Sequence, residues 1–103
     1  MARFHGSTPL GVKLRVHRSE ILEVAARYGL TKVRVFGSVA RGDETESSDI
    51  DLLVDTADVP NLFALGRAEA ELSRILGAEV EITPSQQLRS GVSAGVLREA
   101  IPL

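Results

Sequence analysis

The chain has 103 residues, of which 44% are hydrophobic and 25% charged, and its formal net charge is −2. These values are ordinary for one folded domain, and they argue against wholesale disorder and against general electrostatic binding to nucleic acid. The absence of cysteine excludes disulfides and thiolate sites, and the absence of a long apolar run or an apolar signal core favours a cytoplasmic protein without a membrane span.

The N-terminal part divides into an arm and a helix. Residues 1–12 contain Gly, Ser, Thr and Pro without a period, so we predict a flexible N-terminal arm before a single domain over residues 13–103. From about Leu14 to Tyr28 apolar residues recur at helical spacing, and Gly29 is a favourable residue directly after a helix. The sequence therefore predicts one helix ahead of the first strand.

Two predicted strands follow, over residues 33–36 and 50–54, and the second carries a pair of acids. In Asp49-Ile50-Asp51 the carboxylates are two residues apart, and side chains of a strand alternate between its faces. Both acids therefore project from one face, while the apolar residues between and after them face a core. Such a pair repels unless a cation or a proton lies between them, and Mg²⁺ is the ion that suits carboxylate and phosphate oxygens.

The turn after the first strand offers groups that bind phosphate. Gly37 lets the backbone approach a ligand closely, and Ser38 adds a hydroxyl group. Arg41 adds a fixed cation suited to phosphate oxygens, although a structural ion pair with a neighbouring acid is the alternative for this side chain. A phosphate-binding turn beside a metal-binding pair is the arrangement that phosphoryl or nucleotidyl transfer needs.

The C-terminal half contains a helix, a strand and a further helical segment. Residues 62–76 have a long apolar stripe that ends at Gly77, and residues 79–83 alternate as a strand. Thr83-Pro84-Ser85-Gln86 has the pattern of a helix start, and residues 92–101 have roughly helical spacing. Because a helix links the second and third strands, those strands can be parallel, and we predict an α/β (α+β) fold with a small mixed sheet flanked by helices.

The combined pattern Gly-Ser-x-Ala-Arg-Gly, followed by Ser-Asp-x-Asp-Leu-x-Val, resembles the minimal nucleotidyltransferases of the polymerase-beta-like superfamily. The resemblance runs from about residue 18 to the C-terminus and is sharpest over residues 33–55. It implies that the two motif strands are neighbours in the sheet. It also implies a third carboxylate on the strand after the long helix, where Glu81 stands in place of the family's usual Asp, with an exposed strand acid like Glu79 as the alternative.

The resemblance implies a complete set of site residues and ligands. Two Mg²⁺ ions would be held by the catalytic acids Asp49, Asp51 and Glu81. The triphosphate of ATP would be bound by Gly37, Ser38 and Arg41.

The resemblance also implies a partner. Proteins of this size are similar to the antitoxin half of a pair with a HEPN-type toxin, in which AMP is moved from ATP to a tyrosine of the toxin. Two alternatives stay open at this point. One is a catalytically silent module that neutralises its partner by forming a complex, and the other is half of a homodimeric small-molecule nucleotidyltransferase.

Overall fold

Helices and strands alternate along residues 3–57, 61–88 and 90–103, which are the residues described by the structure, a computed structural model. The helices are α1 Pro9–Val16, α2 Arg18–Arg27, α3 Gly37–Arg41, α4 Leu62–Leu76 and α5 Ser90–Glu99. The strands are β1 Leu30–Phe36, β2 Ile50–Thr56, β3 Val80–Pro84 and β4 Ile101–Pro102, and a 3₁₀ turn, Ser85–Gln87, follows β3. None of the helices in these ranges combines the length and apolar character needed to cross a membrane.

The four strands form one mixed sheet in the order β3-β2-β1-β4. Strand β1 is antiparallel to both β2 and β4, whereas β2 and β3 are parallel. The predicted α/β (α+β) class, the adjacent motif strands and the parallel pair joined by a helix are thereby confirmed. The sheet brings the C-terminal end of β1 next to the N-terminal ends of β2 and β3.

The core lies between one face of the sheet and helices α2 and α4. Ile50, Leu52 and Val54 of β2 are buried there, together with residues such as Ile21 of α2 and Leu72 of α4. Because strand side chains alternate, the odd-numbered residues of β2 lie on the opposite face. The second strand is therefore anchored by its apolar residues while its acids stay outside this core.

Residues 3–12, the part of the N-terminal segment that the structure describes, differ from the flexible arm expected over residues 1–12. Phe4 is only 1% exposed, and its backbone N–H donates a hydrogen bond of 2.8 Å to the carbonyl of Pro102. Helix α1 begins within the same segment, because Thr8 accepts a hydrogen bond from the N–H of Gly11 and Pro9 occupies the first helical position. The Thr-Pro start signal and the buried aromatic ring together order residues that composition alone describes as a loose arm.

Three further elements differ from the predictions. The single helix expected over residues 14–28 is interrupted at His17, where the backbone leaves helical geometry between α1 and α2. Pro84 remains in β3 and only a 3₁₀ turn follows it, so the predicted helix start at Thr83 is wrong. The short strand β4, which lies directly after the C-terminal helix, was not predicted.

Side chains of α4 satisfy backbone groups at the outer edge of β3. The N–H of Val80 donates to the Ser73 hydroxyl at 3.1 Å, and the N–H of Ile82 donates to Glu69 Oε2 at 2.7 Å. Helix α4 is itself well delimited, since the Asn61 side chain caps its first turn and it ends at Gly77 in the left-handed conformation. The helix therefore both covers the sheet and holds its edge.

A polar cluster at the far end of β2 fixes the 3₁₀ turn. Asp55 Oδ1 accepts hydrogen bonds from Ser85 Oγ at 2.7 Å and from Arg34 Nη2 at 2.6 Å. The Ser85 hydrogen bond, the Arg34 pair and the Lys32 ammonium all lower the pKa of Asp55 below its ordinary value. Its folded state thus favours the ionised carboxylate more than the unfolded chain does.

We expect Asp55→Asn to reduce the free energy of unfolding by about 1 kcal/mol at pH 7, because charge-assisted hydrogen bonds are lost from a partly exposed group. A lowered folded-state pKa gives stability that is present above the unfolded pKa and is lost as pH falls through the folded pKa. The difference between wild type and variant should therefore shrink as the pH is lowered below 4. Urea unfolding at several pH values measures it, and a difference that does not change with pH would contradict this assignment.

Candidate active site

The turn that follows β1 is built on glycine. Gly37 has φ +77° and Gly42, at the other end of α3, has φ +79°. Both lie in the left-handed backbone region, which residues other than glycine rarely adopt. Val39 is 1% exposed and anchors the short helix between them to the core. The chain therefore reverses sharply at Gly37 and presents α3 beside the sheet.

Neighbouring strands place the candidate residues in one row. Phe36 pairs with Asp51 across β1 and β2, and Asp51 pairs with Glu81 across β2 and β3. Asp51 lies so close to the turn that a Cβ atom on Gly37 would overlap its Oδ2 atom and lie 3.2 Å from its Cγ atom. The turn therefore adjoins Asp51, which pairs in register with Glu81.

Asp51 is repelled by Glu81, its neighbour in this row, and by Asp49, which directly precedes β2. Partial burial, then the charges of Glu81 and Asp49, raise the pKa of Asp51, and Glu99 adds to the increase while Arg41 opposes it. Within the described residues, Asp49, Asp51 and Glu81 make no side-chain hydrogen bond or ion pair. Uncompensated negative charge is therefore concentrated around Asp51.

Such a donor set suits a hard cation that brings other ligands with it. Carboxylate oxygens are appropriate for Mg²⁺, which commonly binds through one or two carboxylates together with substrate phosphates. Among the described residues, no group of three or more His, Cys, Asp and Glu side chains is arranged to hold a metal ion alone. Asp49, Asp51 and Glu81 thus offer carboxylate oxygens of the kind that Mg²⁺ prefers.

Arg41 is held by two carboxylates. Its Nε donates to Asp43 Oδ2 at 3.1 Å and its Nη1 donates to Glu99 Oε1 at 2.9 Å. Asp43 and Glu99 raise the pKa of Arg41, which stays a cation. The ion pair that was the alternative for this residue is thus present, and the Nη2 group has no partner within the described part of the chain.

Glu99 also reaches the glycine turn, and the sequence motifs did not indicate it. Its Oε1 accepts a hydrogen bond of 2.6 Å from the N–H of Gly37, which is 62 residues away in the chain. Glu99 is a single acid on a helix with mixed polar and apolar residues, so no local pattern marks it. Ser38, in contrast, is partly buried and its hydroxyl makes no hydrogen bond to any described residue.

A cleft of about 700 Å³ opens beside Asp49. It is lined by the loop over residues 44–49, by Lys13 of α1 and by residues 77–79. Glu44 fixes this loop to the N-terminal segment, because its carboxylate accepts hydrogen bonds from the Thr8 hydroxyl and from the N–H of Leu10. The cleft therefore has a defined shape, and its volume is within the range of small-molecule sites.

Sequence comparison gives a family-level match over most of the chain. A family model described as a nucleotidyltransferase domain matches residues 18–102. The protein adenylyltransferase MntA of Thermococcus cleftensis is 38% identical over 85% of this chain and 86% of its own. The range matched by the family model includes the glycine turn, both motif strands and the strand that carries Glu81.

Solved structures show the same fold. A structure described as a minimal nucleotidyltransferase superposes with a TM-score of 0.81 and 41% identity, over 96% of this chain and all of the other. A complex of tri-AMPylated Shewanella oneidensis HEPN toxin with an MNT antitoxin matches with a TM-score of 0.67, over 85% of this chain and 69% of the other. At 18% identity, the second similarity is one of fold.

Proposed function

This chain belongs to the nucleotidyltransferase domain family, and from that membership we propose that it transfers AMP from ATP to a hydroxyl group of a partner protein. The partner is a HEPN-type toxin and the acceptor is a tyrosine hydroxyl, so that the enzyme acts as an antitoxin. The name of the Thermococcus relative supports protein adenylylation, and the description of the Shewanella complex supports a HEPN partner.

The observation that carries the proposal is the contact of the Gly37 turn with Asp51 of β2, which pairs in register with Glu81 of β3. The turn also carries a hydroxyl and a guanidinium group that can hold phosphate oxygens, and the acids concentrate negative charge that a cation relieves. Ser38 and Arg41 bind the triphosphate and align its α-phosphorus with the acids. Two Mg²⁺ ions, held by Asp49, Asp51 and Glu81, would supply charge neutralisation at the phosphates.

The chemistry is one displacement at phosphorus. The acceptor oxygen forms a bond to the α-phosphorus, the bond between that phosphorus and the bridging oxygen breaks, and pyrophosphate leaves with the electron pair. Glu81 accepts the proton of the acceptor hydroxyl, which becomes more acidic as its oxygen attacks. Arg41 stays close to the leaving pyrophosphate and stabilises its developing charge.

The test uses the protein with its candidate HEPN-type partner, Mg²⁺ and ATP labelled at either the α- or the γ-phosphate. We expect label on the partner from α-labelled ATP and none from γ-labelled ATP, because only the AMP moiety is transferred. Replacement of the partner's tyrosines by phenylalanine should remove the label. Label from γ-labelled ATP and none from α-labelled ATP would indicate phosphate transfer and would contradict the proposal.

A silent binding module is the second candidate. Glu81 favours it, since the family's usual residue is the shorter Asp, and Glu81 is an exposed side chain in β3. A tight complex with the partner that carries no label under these conditions would support this alternative. Glu81→Asp separates the two functions further, because an adenylyltransferase should keep or gain transfer with Asp, whereas a binding module should transfer with neither residue.

A further inference from the structure

Glu99 holds both ends of α3 with one carboxylate oxygen. Its Oε1 accepts from the N–H of Gly37 at 2.6 Å and from Arg41 Nη1 at 2.9 Å. Phe36, the residue that precedes α3, has no side chain able to cap the helix, so the first N–H depends on this distant acid. A single side chain thus connects the start of the turn with the arginine that follows it.

The backbone around Glu99 fixes its place relative to the turn. Ile101, two residues after Glu99, pairs with Val35, two residues before Gly37. Leu103 continues this attachment, because its N–H donates to the carbonyl of Val33 at 3.0 Å. Since β4 is bound to the strand that leads into the turn, Glu99 cannot move far from Gly37 without separating these strands.

We infer that Glu99 is a positioning residue that sets the orientation of Gly37 and Arg41 for the triphosphate of ATP, an inference that rests on the proposed function. The N–H of Gly37 is already bonded to Glu99, so it is not a donor to the nucleotide. The triphosphate is bound instead by the Ser38 hydroxyl and by the Nη2 group of Arg41, which have no other partner within the described residues.

A competing role for Glu99 predicts the opposite change in ATP affinity when this side chain is removed. If Glu99 occupied the place of a phosphate group, ATP would have to displace it, and its removal would strengthen ATP binding. If Glu99 positions the turn, its removal lets Arg41 rotate toward Asp43 and frees α3 to shift against Asp51. Removal then weakens ATP binding, as expected when groups that align a ligand lose their support.

The test compares Glu99→Ala with Glu99→Gln in steady-state AMP transfer and in ATP binding by calorimetry. We expect Glu99→Ala to raise the KM and Kd for ATP about tenfold, the scale of one lost charge-assisted hydrogen bond. Glu99→Gln keeps an oxygen that accepts from the Gly37 N–H, and we expect it to restore both constants to within about threefold of wild type. Glu23→Ala is the control, since Glu23 is an exposed acid on α2 without a described partner.

Hydrogen exchange of the Gly37 amide gives a readout that does not depend on nucleotide. The amide should be protected in wild type and in Glu99→Gln, and it should exchange faster in Glu99→Ala. Tighter ATP binding by both variants, or an unchanged Kd in Glu99→Ala, would overturn the inference and leave the proposed function intact. Wild-type protein that binds no ATP would overturn the proposed function and this inference with it.

Discussion

Asp51→Asn is expected to abolish AMP transfer and to make the metal-free protein more stable. The carboxylate is partly buried, and it faces the charges of Glu81 and Asp49 without a hydrogen-bond partner among the described residues. Asparagine has nearly the same shape but no charge, so the repulsion disappears with the group that binds the metal. A gain of about 1 kcal/mol is the usual scale for such a change, and it raises Tm by roughly 4–8 °C in a domain of this size.

The two readouts of Asp51→Asn are measured separately. Transfer of label to the partner should fall at least about a hundredfold, the scale of removing one group that stabilises charge in the transition state. Thermal unfolding should show that Mg²⁺ with ATP raises the Tm of wild type and leaves that of the variant unchanged. Retained transfer in the variant would remove Asp51 from the site.

Asp55→Asn is the matched control for this experiment. It is the same substitution on the same strand, but Asp55 accepts hydrogen bonds from Arg34 and Ser85. Its replacement should therefore lower the Tm while leaving transfer within a few-fold of wild type. A higher Tm for Asp51→Asn and a lower Tm for Asp55→Asn would show that Asp51 is repelled by its neighbours, whereas Asp55 is stabilised by its hydrogen bonds.

Gly37→Ala is expected to cause the second large loss of activity. A Cβ atom at this position would overlap Asp51 Oδ2, and the backbone has a positive φ that alanine adopts only with strain. Either the carboxylate or the turn must move, and a displacement of about 1 Å in a positioned site can reduce the rate a hundredfold. The measurements are the rate of label transfer and the free energy of unfolding in urea.

Gly42→Ala separates the steric overlap with Asp51 from the backbone strain of a positive φ. Gly42 has nearly the same φ, but a Cβ atom there would meet nothing within 4 Å. This variant should lose only about 1–2 kcal/mol of stability, the cost of placing a residue with a Cβ in the left-handed region. Its rate of AMP transfer should stay close to that of wild type. Equal loss of activity in both variants would mean that the contact between Gly37 and Asp51 is not what makes glycine necessary.

The parts of the molecule that were predicted correctly depend on local patterns. Alternation in β2 placed Ile50 and Leu52 in the core and Asp51 on the other face, and the apolar stripe of α4 gave its end at Gly77. These features are visible in the sequence because each depends on residues a few positions apart. The adjacency of the motif strands came from the family resemblance.

The parts that were missed depend on contacts between distant residues. The ring of Phe4 is buried in the core, and its backbone N–H donates a hydrogen bond to the carbonyl of Pro102. Pro102 is far from Phe4 in the sequence, so no local pattern predicts this contact. Glu99 acquires its role only when β4 brings α5 to the glycine turn. Pro84 has a pattern compatible with a helix start, yet pairing with Val54 keeps it in a strand.

The outer edge of β3 has a consequence for how another protein can associate with the sheet. Recruitment of an extended peptide by β-augmentation requires a row of available main-chain donors. On this border the amides of Val80 and Ile82 are already satisfied by α4, and Pro84, the next residue with the same orientation, has no N–H to offer. An incoming strand therefore finds no donor at any of these positions, so a partner that docks on this side must recognise side chains rather than extend the sheet.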